Sequence, residues 1–282
     1  IFSEWMRIMR HAFRLFFLLS VLAGLISLPA TAFAGAAEGV EAMERGDYAL
    51  GFQHLVPAAK SGDALAQYHL ARAYEFGYGV APNVALAARW YAEAAGRGHV
   101  EANVRVGKMN LTGEGLTRDA ARAADFFAYA ARSGHGEAAY LLAVLYLEGM
   151  GVPKSARQGI DLLNHAASLN YPAALNHLGT FYATGESGIP IHRGRAFELY
   201  HQAAARGNGD AMLNLGQAYL SGQGLPEDPK QAYLWLGLAA GYGALEVQIL
   251  ADRLRRDAAR KVPAREQALI DERIRNWQPL KN

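Results

Sequence analysis

The side chains of this 282-residue sequence that could do chemistry recur at a fixed distance. Arg72 and Lys108 are 36 residues apart, and so are His69 and Arg105. Cations stacked in register concentrate a positive field and draw an anionic ligand. The rest of the reactive inventory is thin. Cysteine is absent, so neither a disulfide framework nor a thiolate zinc site can form. The patterns Ser-x-x-Lys, Gly-x-Ser-x-Gly, His-Glu-x-x-His and the phosphate-loop lysine are missing. The nine histidines do not converge in sequence. His99 and His135 sit just before a first helix, where a cap is the default role, and His54, His165 and His201 fall on second helices. Paired glycines (Gly77/Gly79, Gly113/Gly115, Gly149/Gly151, Gly185/Gly188 and Gly222/Gly224) resemble phosphate loops in composition. Each pair stands at the same point of a repeating frame, at the end of a helical stretch, so it reads as a turn. These observations predict no catalytic residue, no metal and no cofactor.

The frame that positions the cations spans five units: 64–99, 100–135, 136–171, 172–208 and 209–244, the fourth longer by one residue. Each unit opens on an apolar ladder. Ala66, Leu70, Ala71 and Tyr74 form the first; Ala102, Val106, Gly107 and Asn110 the second; Ala138, Leu142, Ala143 and Tyr146 the third. Offsets of 0, 4, 5 and 8 place these groups on one face of a helix. The small residue in third place lets a neighbouring helix come close. After the glycine pair a second helix is predicted behind Asn83, Asp119, Ser155, His192 and Asp228. All but His192 have the short polar side chain that accepts from the free N–H groups of a first turn. Pro229 suits a first helical position, where its missing donor costs nothing. Bulky residues at Trp90, Phe126, Leu162, Leu199 and Trp235, with alanine pairs such as Ala94-Ala95 and Ala130-Ala131, mark the face of the second helix. Gly98, Gly134, Asn170, Gly207 and Gly243 are expected as left-handed C-caps. One such helix pair cannot bury its apolar face alone, so units must stack. The expected fold is all-α, a right-handed α/α solenoid.

Leu178-Gly179, Tyr74, Gly79-Val80, Asp119, Trp90-Tyr91 and Ala94-Ala95 resemble, at their places in the frame, the Sel-1-like repeat family, a relative of the tetratricopeptide repeats. The resemblance covers about residues 46 to 244. Asn110 in a tyrosine position, the stretched fourth turn TGESGIP and the missing cysteines depart from the pattern. The resemblance implies protein–protein interaction, often as an adaptor or regulator in bacterial envelopes or in signalling. Two other readings come with it: a periplasmic negative regulator of a sensor kinase or exopolysaccharide system, and a β-lactam- or cell-wall-binding hydrolase. The second would require cysteines or a serine–lysine motif that the sequence lacks.

The first 34 residues have the anatomy of a secretory leader. Arg7, Arg10, His11 and Arg14 are basic, Leu15 to Leu28 is an apolar run, and Ala32-Phe33-Ala34 is a small-x-small cleavage pattern. The 14-residue run is short of the roughly 20 residues of a membrane-spanning helix, so no stable span is expected after cleavage behind Ala34. Translation is expected to begin at Met6 or Met9. Over the whole sequence 28 basic residues face 26 acidic ones. Removal of three arginines and Glu4 with the leader leaves 25 of each, which gives no ground for nucleic-acid binding. The expected location is the periplasm or the medium.

Residues 35–63 read as an N-terminal cap and partial repeat: a flexible lead-in from Gly35 to Gly39, a truncated helix from Val40 to Glu44, then the second half of a unit weakened at Pro57. Residues 245–282 read as C-terminal capping helices. Leu245, Ile249 and Leu254 are the apolar positions of the first, and Leu269, Ile270, Ile274 and Trp277 the buried stripe of the second. In tetratricopeptide-like solenoids the first helices line a concave face, and the positions flanking the ladder run down it in columns. One column is His69, Arg105, Leu141, His177 and Asn214; the next is Arg72, Lys108, Val144, Thr180 and Gln217; a third is Tyr68, Val104, Tyr140, Asn176 and Leu213. The expected partner site is therefore Tyr68, His69, Arg72, Arg105, Lys108, Tyr140, His177, Asn214 and Gln217. It is cationic at its N-terminal end, and its expected ligand is an acidic or carboxylate-bearing protein or peptide segment.

Overall fold

The structure, a computed structural model, describes residues 30–280. The expected leader lies, up to residue 29, outside the described residues. Among the described residues all regular structure is helical. The chain is an α/α solenoid of helix–turn–helix repeats, and it divides into two compact units, each with its own core.

The first unit, residues 30–99, holds α1 (Ala30–Glu44), α2 (Tyr48–Lys60), α3 (Ala64–Phe76) and α4 (Val84–Gly96). Each helix packs on the next, and α1 also meets α3. Leu55, Ala58, Ala59, Ala66 and Leu70 are its buried centre, closed by half-buried Val40, Met43, Phe52, Tyr74 and Trp90. The flexible lead-in expected from Gly35 to Gly39 is instead part of one continuous helix, α1. Its small residues explain this: Ala36 and Ala42 are buried, and a Cβ on Gly39 would stand 2.7 Å from Leu55 Cγ. Glycine there permits close helix contact rather than disorder. α2 runs through Pro57 to Lys60, and the Ser61 N–H donates to the Pro57 carbonyl.

The second unit, residues 100–280, continues with α5 (Val100–Thr112), α6 (Ala120–Arg132), α7 (Gly136–Glu148), α8 (Ala156–Ser168), α9 (Pro172–Thr184) and α10 (Arg193–Ala205). α11 (Gly209–Ser221), α12 (Pro229–Tyr242), α13 (Leu245–Ala259) and α14 (Ala264–Asn276) complete it. Successive helices pack in order as far as α13, and α12 also holds α14.

The predicted ladder is the buried face of the first helices. Ala66, Leu70 and Ala71, Ala102, Val106 and Gly107, and Ala138, Leu142 and Ala143 are all buried. On four of the five second helices the buried bulky position is one residue later than expected, at Tyr91, Phe127, Leu163 and Leu236, whereas in the fourth repeat the expected Leu199 is buried together with Tyr200. Trp90, Phe126, Leu162 and Trp235 are half-buried. A step of one residue turns a side chain by about 100°, so this shift changes which ring enters the core. The small residue in the ladder receives it. A Cβ on Gly107 would lie 2.5 Å from Phe127 Cε1, and one on Gly216 2.5 Å from Leu236 Cγ. Complete burial of such a side chain is worth about 1.5–3 kcal/mol.

Local signals hold the helix ends. Asn83, Asp119, Ser155 and Asp228 accept from first-turn N–H groups, and His192 does the same through Nδ1 at 3.0 Å. His135 caps α7 through Nδ1 at 3.3 Å. Gly98, Gly134, Asn170 and Gly207 adopt positive φ as expected, but Gly243 does not; its φ is −80°. It is small for another reason: a Cβ on Gly243 would fall 2.3 Å from Val247 Cγ1 and 2.8 Å from the Ala239 carbonyl oxygen. The extra residue of the fourth repeat is absorbed by a single 3₁₀ turn, Glu186–Gly188.

The C-terminal pair keeps most of its predicted stripe, with Ile274 and Trp277 half-buried against the core. Ile270 is buried, yet Leu269 is 57% exposed, and Leu245 and Ile249 are 65% and 63% exposed. Alanines take the inner positions of α13, at Ala251 and Ala258. Polar contacts seat the pair on α12: Arg255 lies 4.3 Å from the Tyr233 ring centroid and pairs with Asp271.

Candidate functional site

The first unit contains a cleft of about 270 Å³ lined by Met43, Glu44, Tyr48, His69, Arg72 and Tyr78. Three elements build it. α3 supplies His69 and Arg72 from successive turns of one face. The end of α1 supplies Met43 and Glu44. Tyr48 opens α2, and Tyr78 sits in the glycine turn after α3. The rings of Tyr48 and Tyr78 stack at 5.7 Å with an interplanar angle of 8°. Gly79 lets them do so, since it holds φ of 72° and a Cβ there would lie 2.4 Å from Tyr48 Cβ.

Arg72 is half-buried, 6.0 Å from the Tyr68 ring centroid. No carboxylate comes within ion-pair reach of it among the described residues. Tyr68 also stacks on His99 at 4.4 Å and touches His69 edge-on. Burial, then the Arg72 charge and His99, lower the His69 pKa to about 4. His69 is thus a neutral imidazole at pH 7, with one nitrogen donating and one accepting. Arg72 is the cation of the cleft.

In the second unit the predicted cations have partners. Lys108 Nζ lies 2.7 Å from Glu137 Oε1, and the Arg105 guanidinium lies 3.5 Å from Glu114. Further along, Tyr140 packs against Tyr171 at 5.4 Å and His177 at 6.1 Å, and His177 meets Phe181 at 4.8 Å. Burial lowers the His177 pKa, against the opposing pull of Glu186 and Glu148. Burial, with Asp210, raises that of Tyr140. Burial, Glu137 and Tyr140 push Tyr171 up to about 12. The Asn214 amide donates to Asn176 Oδ1 at 2.9 Å. Asn214 and Gln217 line a polar cleft of about 210 Å³ with Arg193, Phe197 and Tyr200. Val104 and Leu213, placed by the sequence in a surface column, are buried.

The structure thus gathers Tyr68, His69 and Arg72 in one unit, and Arg105, Lys108, Tyr140, His177, Asn214 and Gln217 along the other. Sequence reasoning missed Met43, Glu44 and Tyr48. Their helix pair is joined by three residues, Arg45 to Asp47, where α3 and α4 are joined by seven, Gly77 to Asn83. The double-glycine frame therefore does not extend back to α1. Among the described residues, no three His, Asp or Glu side chains are grouped to hold a metal, and no helix is long and apolar enough to cross a membrane.

The Sel1 repeat model matches residues 64–99, 100–135, 136–171, 172–208 and 209–241, well over half of the sequence. The chain belongs to the Sel1 repeat family. Sel1 repeats commonly mediate protein–protein interactions, and Sel1 repeat scaffolds are generally non-catalytic. Among solved structures, a Sel1 repeat protein from Oxalobacter formigenes superposes with a TM-score of 0.68 at 27% identity, over 76% of this chain and 88% of that one. The protein c5321, a protective antigen present in uropathogenic Escherichia coli strains that displays the same repeat fold, gives a TM-score of 0.56 at 20% identity, over 85% and 68%. No curated protein matches the sequence.

Proposed function

We propose that this Sel1 repeat protein is a non-catalytic interaction scaffold of the bacterial envelope, and that it grips a carboxylate-bearing segment of a partner protein through the Arg72 cleft. The observation that carries the reading is Arg72 itself: a half-buried guanidinium, open to a cleft and without a carboxylate of its own among the described residues. A guanidinium offers a planar fork of donors that matches a carboxylate. Its half-buried neighbours Tyr48, Tyr78 and Met43 supply apolar area beside such a contact. The leader-like composition of residues 1–34 supports a location outside the cytoplasm.

The test is photo-cross-linking in cells from a reactive residue placed at position 78, followed by identification of the captured protein. Arg72→Glu should abolish that capture while the purified variant keeps its thermal unfolding midpoint. Equal capture by the variant rules the cleft out. The envelope fraction should contain a chain that begins at Gly35; a cytosolic chain that still carries residues 1–34 removes the location from the proposal.

A further inference from the structure

Arg72 is one of two opposite charges in its cleft. Glu44, the last residue of α1, lines the same space and is exposed. It too has no ion-pair partner among the described residues, and the pair does not close on itself within the 4.0 Å of an ion pair. The charged neighbours are already used. Arg45 pairs with Glu41 at 3.2 Å, and the Asp47 carboxylate accepts from the Leu50 N–H at 3.2 Å. His69 is neutral. The cleft therefore offers one positive and one negative group, separated, with two stacked phenol rings and a thioether as the remaining wall.

We infer that the cleft recognises a mixed-charge segment: a carboxylate for Arg72 and, close by on the same partner chain, a lysine or arginine for Glu44. The inference rests on the reading of Arg72 above and refines it. A run of acidic residues would set a second carboxylate beside Glu44, where like charges repel. A mixed segment finds an opposite charge at both places. Its cation also gains from the ring faces of Tyr48 and Tyr78. One positive and one negative lining group give no net field to collect polyanions, so the two local contacts set specificity rather than long-range attraction. Glu44 acts as the repulsive element that excludes the wrong partner.

The test uses two fluorescent pentapeptides with blocked termini, Ala-Glu-Phe-Lys-Ala and Ala-Glu-Phe-Glu-Ala, titrated against the purified protein by anisotropy. The wild type should bind the mixed peptide roughly threefold to tenfold more tightly. Glu44→Gln should erase that preference by weakening the mixed peptide and strengthening the acidic one. Arg72→Gln should weaken both. Equal or tighter binding of the acidic peptide by the wild type, or an unchanged ratio in Glu44→Gln, overturns the mixed-charge inference and leaves the role of Arg72 standing. Unchanged binding of both peptides by Arg72→Gln, or no saturable binding of either peptide, overturns the Arg72 reading and the inference with it.

Discussion

Arg72 in residues 30–99 and Lys108 in residues 100–280 hold the same place in successive first helices. Their surroundings differ. Lys108 ends 2.7 Å from Glu137, a first-turn residue of α7, and Arg105 lies 3.5 Å from Glu114. Arg72 faces a cleft with Glu44 at some distance and no ion pair. Equal register in a repeat array therefore does not mean equal chemistry. A cation neutralised within its own unit holds two helices in place, whereas a cation left open is available to a ligand. The walls differ as well. The first unit surrounds its cation with Tyr48, Tyr78 and Met43, and the second lines its face with tyrosines, His177 and the Asn176–Asn214 amide contact.

Four measurements can break or sharpen this contrast. The largest effect is expected from the wall of the first cleft. Gly79→Ala meets both a left-handed backbone and Tyr48, and should lower stability by about 3 kcal/mol in urea unfolding. Gly188→Ala has φ of 78° but open space around its Cβ, and should cost only about 1–2 kcal/mol. Equal losses would show that the Tyr48 wall yields and is not a fixed part of the cleft.

Next comes charge. Arg72→Glu should reduce affinity for a blocked carboxylate peptide about 30-fold, near 2 kcal/mol, while Lys108→Glu leaves it within about twofold. A comparable loss in both variants would erase the distinction between the two units. A smaller effect is expected from Glu137→Gln, which releases Lys108. Stability should fall by less than about 1 kcal/mol, as for other partly exposed pairs. Calorimetry with the same peptide should then record a second, weaker binding event that the wild type lacks.

The smallest effect is the acid dependence from His69. Its pKa is lowered in the folded chain, to about 4 from 6.5, so folding favours the neutral ring. That contribution is complete above pH 6.5 and is lost as the pH falls towards 4. His177 and His201 are lowered by burial and act in the same direction. The thermal midpoint should therefore drop between pH 7 and pH 4.5, and His69→Asn should make that drop shallower. An unaltered slope in the variant would separate His69 from the acid response.

Much of the fold was legible because its determinants are local. The caps at Asn83, Asp119, Ser155 and Asp228 are contacts across three residues, and the ladder from Ala66 to Tyr74 is a matter of helical period. Failures came where a second element decided. Gly35 to Gly39 suggested looseness, but close approach to Leu55 makes it helix. Leu269 fitted an apolar stripe but is exposed, while Ile270 is buried and Ile274 meets α12 at Gly237. Trp90 and Phe126 stand at the bulky position of the frame, but the next ring, Tyr91 or Phe127, is the buried one, Phe127 against the ladder residue Gly107. Of the residues that line the cleft of the first unit, His69 and Arg72 belong to the columns read from the sequence. Glu44 and Tyr48 do not, because a three-residue link replaces the glycine turn there.

The sequence by itself determined the helix pairs of the five repeats, the caps that open their second helices, the length of the repeat and the family, since period, capping side chains and turn glycines act over a few residues and recur five times. Only the tertiary structure decided which charges stay open. Whether a cation is spent on an ion pair depends on a carboxylate brought near by helix packing, as Glu137 is brought to Lys108 across 29 residues. Coulomb attraction acts through distance in space, and no pattern along the chain records that distance.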